Sequence, residues 1–137
     1  MTATATIAQT LKTRVTSSFP ATGFVAGITP EQAAAGKSLP AGLQPPCVLI
    51  LAGDGAVEDS TLTRRQRFQL VLIDRLKGRG DDRAASVWSR FDTLQEIFPL
   101  EGVTDGGIVF LPESFRVLEC TDSRAAACLT VTAVTPA

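Results

Sequence analysis

The sequence predicts an α+β domain, with a four-stranded mixed or antiparallel sheet and two helices packed on one face, in the order α-β-β-α-β-β with a long irregular loop after the first helix. Three observations predict it. Two stretches carry apolar residues at helical spacing, two pairs of short runs read as strands, and a proline- and glycine-rich excursion separates the first helix from the first strand. At 137 residues and 14.4 kDa, with 45% hydrophobic and 20% charged positions, residues 1–137 suit one domain. A chain of this size buries about two-thirds of its unfolded surface, enough for a core without metal or disulfide staples.

The first helix is expected over Ala3 to Ser18, where Ile7, Leu11 and Val15 recur every fourth residue and Ala8 and Phe19 lie beside them. Its many threonines weaken intrinsic helicity, so this helix depends on docking. From Phe19 to Pro46, five of the eight prolines and four glycines fall in 28 residues. Apart from a helical turn at Pro30 to Ala35, where proline suits the first helical position, this stretch reads as an irregular loop. Loops of that length in small domains serve contacts or stay mobile, and Phe24, Val25, Ile28, Leu39 and Leu43 are its candidate partner-contacting residues.

Cys47 to Ala52 is a continuous apolar run between Pro46 and Gly53, which reads as a central strand buried on both faces. Gly53 to Ser60 is expected to turn. Thr61 to Arg75 then alternates, with Phe68, Leu70 and Leu72 on one face and Arg65, Arg67, Gln69, Val71 and Ile73 on the other. The second face starts polar and becomes apolar, so the first half is expected to project as a hairpin and the second half to be covered. Asp81 and Asp82 place negative charge at the start of a helix over Asp82 to Phe98. There Val87, Phe91, Leu94 and Phe98 form the stripe, with Ala84 and Trp88 widening it. Ile108 to Leu111 and Phe115 to Glu119 form an extended run interrupted at Pro112, which favours an edge or a bulge. Cys128 to Val134 is the last strand.

Composition narrows the chemistry. Without His or Tyr, the chain has no Ser-His-Asp triad, no Cys-His dyad and no His-bearing zinc site. The formal net charge of -1 provides no field toward nucleic acid or an anionic membrane. Cys47, Cys120 and Cys128 are odd in number and lack a C-x-x-C spacing, so they read as small buried hydrophobes in a reducing compartment. The N-terminal residues lack a basic region followed by an apolar core and no run approaches 18 apolar residues, so neither a signal peptide nor a membrane span is expected.

Short motifs resolve into turns. Gly53-Asp54-Gly55 has Glu58 where a dinucleotide fingerprint needs its third glycine, and Gly36-Lys37-Ser38 lacks the preceding strand of a phosphate loop. Arg79-Gly80-Asp81 sits at a strand-to-helix turn. The acidic pairs Glu58-Asp59 and Asp81-Asp82 lie in no recognisable cation loop. Arg64, Arg65 and Arg67 are the densest basic cluster; with only three lysines in the chain and Phe68 on the opposite face, they suit contacts between subunits better than nucleic acid.

An N-terminal amphipathic helix, a proline-rich loop, the apolar strand at Cys47 to Ala52, an acidic-tipped hairpin returning through arginines to Arg75, the helix at Asp82 to Phe98 and a terminal hairpin together resemble the tail terminator (tail completion) proteins of long-tailed bacteriophages. The resemblance implies a non-enzymatic virion protein, assembled in the host cytoplasm, that forms a homo-oligomeric, hexameric ring. It implies no cofactor, metal or membrane. Such a ring caps the tail tube, ends tube polymerisation and offers a joining surface to the head connector, while DNA passes through without specific binding. On that reading the hairpin tip with Asp54, Glu58 and Asp59 faces the lumen or a neighbouring subunit, and Arg64, Arg65 and Arg67 make ion pairs across that contact. Another head-tail or baseplate subunit, and a ferredoxin-like small-molecule sensing module, are the alternatives.

Overall fold

A computed structural model describes residues 3–35, 43–58, 62–76, 81–118 and 124–136. Nine elements follow in order: α1 (Thr4–Thr16), β1 (Thr22–Phe24), α2 (Pro30–Ala34), β2 (Cys47–Glu58), β3 (Thr63–Arg75), α3 (Asp81–Glu96), β4 (Val103–Asp105), β5 (Ile108–Val117) and β6 (Arg124–Pro136). The six strands form one sheet in the order β1-β2-β3-β6-β5-β4. β1 runs parallel to β2 and every other pairing is antiparallel.

The sheet therefore has six strands and the fold three helices, not four and two. The two additional strands are three residues long and sit at the two edges. β1 arises inside the stretch expected to be irregular, because Thr22 to Phe24 lie beside Val48 to Ile50. β4 arises in the short connection between α3 and β5. There Gly106 and Gly107 both have positive φ (59° and 79°) and close a two-residue hairpin onto β5. Neither strand has the length to show a period.

Packing explains the rest. α1 and α3 cover one face: Ile7, Leu11, Val15, Val87, Phe91, Leu94 and Phe98 meet Val48, Ile50, Phe68, Leu70, Leu72, Leu129 and Val131. These helical stripes are the ones the periodicity marks, except that Trp88 points outward and is 62% exposed. α2 lies on the opposite face, with Ala33 and Ala34 against Cys47, Leu49, Leu51, Val71, Ile73, Ala126 and Cys128. Thr29 caps it reciprocally with Gln32.

Cys47 to Leu51 is buried on both faces as the apolar run requires, but β2 is second from the edge; β3 and β6 are central. β2 does not turn at Gly53. It continues through an irregularity between Ala52 and Gly55 to Glu58. The first half of β3 is no free hairpin, since β6 accompanies it from Thr63 opposite Pro136 to its end. β5 passes through Pro112 without breaking, by a bulge between Pro112 and Ser114. β6 extends beyond the predicted last strand at both ends.

Candidate functional site

The arginine-bearing strand divides its cations between the faces of the sheet. Arg64 lies on the helix side and its guanidinium donates to the Thr4 hydroxyl, tying the start of α1 to β3. Arg65 and Arg67 lie on the α2 side and are exposed. Arg67 Nε is 3.0 Å from Glu113 Oε2, and Glu113 Oε1 accepts a hydrogen bond from the Thr132 hydroxyl. One carboxylate, aimed by the bulge of β5, thus joins three neighbouring strands.

Beyond α2 this sheet face is polar. Arg65, Arg67, Gln69, Thr130 and Thr132 alternate outward from β3 and β6, whereas α2 and its apolar floor cover the other end. Arg116 fastens α2 there, its Nη2 lying 2.7 Å from Glu31 Oε1. The hydrogen bond from Arg116 holds the Glu31 carboxyl below its ordinary range.

Of the other residues singled out, Asp54 and Glu58 fall in β2 with side chains outside the described part of the structure, and Asp59 and Leu39 lie outside the described residues. Phe24 ends β1 at 43% exposure with the Lys12 ammonium 5.1 Å from its ring centre. Val25, Ile28 and Leu43 are partly buried against the α2-side core. Cys47 and Cys128 are free and buried in that same core, where desolvation pushes the Cys47 thiol up to about 11 and raises that of Cys128.

Two clefts flank the sheet on its helix side. One, of about 470 Å³, runs between the end of α3 and the bulge of β5, with Phe98, Phe115 and Leu129 as its floor and Asp92 and Glu96 on its rim. The other, of about 340 Å³, lies between α1 and the end of β1 and includes Ala8, Phe24, Ile50 and Phe68. Each adjoins a sheet edge that its terminal strand covers only in part. No short motif marks these edges; only Asp105-Gly106-Gly107 between Val103 and Ile108 signals the hairpin that caps one of them.

Among the described residues, no group of three or more acidic, Cys or His side chains is placed to hold a metal ion. No described helix is long and apolar enough to cross a membrane. No family model matches this sequence, and no curated protein matches it. What the structure defines is an α+β sheet protein whose two edges are partly bare among the described residues and are joined by a polar face that bears paired arginine.

Proposed function

We propose that this protein is a non-enzymatic, ring-forming structural subunit of a bacteriophage tail, which caps the tail tube, ends its polymerisation and presents a joining surface to the head connector. The observation that supports this reading is the pair of dissimilar sheet edges. β2 is bare of strand partners on one side from Leu51 to Glu58, and β5 from Leu111 to Val117, among the described residues. Bare edges recruit further strands. Two different edges on one subunit favour head-to-tail association, which generates rings when the rotation closes. The resemblance in element order to tail terminators supplies the role of such a ring.

In this reading the acidic half of the β2–β3 hairpin leading to its tip, with Asp54 and Glu58 in β2 and Asp59 next in sequence, faces the lumen or the adjoining subunit, where carboxylates repel DNA phosphates instead of retaining them. Arg65 and Arg67 stand on the face that leads to that tip.

Native mass spectrometry with light scattering across a hundredfold concentration range tests the proposal. The expected result is one discrete species of six subunits of 14.4 kDa each. A monomer throughout overturns the ring. Wild-type assembly by Arg65→Glu combined with Arg67→Glu removes the arginines from the contact.

A further inference from the structure

Each edge of the sheet carries a projecting strand and a recess, and the two edges are complementary. Among the described residues, β1 on one side covers only Val48–Ile50 of β2, and β4 on the other covers only Ile108–Phe110 of β5. Strand register carries the levels across the sheet. Phe24, Ile50, Leu70, Leu129 and Phe115 form one row, and Thr22, Val48, Leu72, Ala127 and Val117 form another. β1 therefore stands level with the bare part of β5. At the other end, Gly55, Gln66, Ala133, Phe110 and Val103 share a row, so β4 stands level with the bare part of β2.

We propose that copies of this chain interlock side by side, β1 of one copy adding to the bare edge of β5 in the next, while β4 of that next copy lies beside the bare end of β2 in the first. This rests on the ring reading in taking a second copy as the occupant. Two three-residue strands from different copies then share one strand position, one above the other.

Strand directions allow it. β1 runs with β2, and three antiparallel steps separate β2 from β5, so β1 meets β5 antiparallel. The Val48 N–H donates to the Ala21 carbonyl and the Val25 N–H to the Ile50 carbonyl. Alternation along a parallel ladder accordingly aims the peptide groups of Thr22 and Phe24 away from β2, toward the incoming strand. The match requires no slippage along the strands, which is the condition a closed ring places on each contact.

Side chains agree with the backbone. Phe24, capped by Lys12, is 43% exposed on the donating edge. On the receiving edge Val117 is 61% exposed, and Leu100, 92% exposed, lines the cleft rimmed by Asp92 and Glu96. An aromatic ring carrying a cation thus faces an apolar cleft carrying carboxylates.

The test is cross-linking of the full chain in a Cys120→Ser background, with a short bismaleimide and with Cys47 and Cys128 protected by burial. Phe24→Cys combined with Val117→Cys is expected to give a ladder of covalent oligomers ending at the native stoichiometry, and each single variant none. Phe24→Lys with Val117→Lys is expected to raise the concentration for half-assembly at least tenfold with an unchanged far-UV circular dichroism spectrum. A discrete oligomer without the 24–117 cross-link, or with 24–24 or 117–117 links, overturns this contact and leaves the ring standing. A monomer at every concentration overturns both.

Discussion

Gly102, between α3 and β4, has φ +87°, and a Cβ there would lie 2.5 Å from Leu111 Cδ2 and 3.2 Å from the Phe110 carbonyl oxygen. Gly102→Ala is therefore expected to destabilise the fold by about 1–2 kcal/mol, read by chemical denaturation. The side-chain end of Leu111 gives way more easily than the backbone dihedral does. Cys47 illustrates a different residue-scale effect. Its thiol stays protonated in the folded state to about pH 11 because burial penalises the thiolate, whereas an unfolded thiol ionises near its ordinary value of about 8.5. Between those values the unfolded chain binds fewer protons than the folded one, so stability falls as pH rises from about 8.5 to 11. Cys47→Ala should flatten that part of a pH-stability profile. At pH 8 neither Cys47 nor Cys128 should react with a maleimide until the chain is unfolded, as counted by mass spectrometry.

At the scale of elements, α3 is held by its apolar stripe and by one buried charge. Asp74, on the helix side of β3, is 3% exposed, and its Oδ2 lies 2.8 Å from Arg90 Nε on α3. Arg90→Ala leaves that carboxylate without its cation in the interior. The expected loss is about 1–3 kcal/mol by denaturant titration, and Asp74→Asn on top of it should recover part of the loss. The stripe itself is legible in the sequence, because Val87, Phe91, Leu94 and Phe98 repeat at helical spacing. Trp88 is misread by the same rule, since one residue beyond Val87 rotates by about 100° and a large apolar side chain at that margin is not obliged to be covered. β1 and β4 are the opposite case. Three residues contain no period, and Thr22 to Phe24 are a strand only because Val48 to Ile50 lie alongside.

For the whole molecule, a closed assembly couples folding to protein concentration. The melting temperature of the wild-type chain is expected to rise with concentration, and that of Phe24→Lys with Val117→Lys to stay constant, when both are followed by circular dichroism. Salt separates the contributions further: in the proposed interlock, raising ionic strength should weaken the attraction between Lys12 of one copy and Asp92 and Glu96 of the next and leave the apolar part intact, so assembly should survive high salt with reduced affinity.

The sequence by itself determined what depends on local periodicity and composition. That includes the two long helices and their buried stripes, the apolar strand at Cys47 to Leu51, the alternation of β3 that sends Arg65 and Arg67 one way and Phe68, Leu70 and Leu72 the other, and the absence of any imidazole for catalysis. Tertiary structure alone decided the number of strands, the placing of α2 opposite α1 and α3, and the pairing of Arg67 with Glu113 across 46 positions of sequence. It also decided which edges are bare and at what level. The physical reason is that helical and strand faces follow from spacing along the chain, whereas strand order and register follow from which distant segments lie side by side.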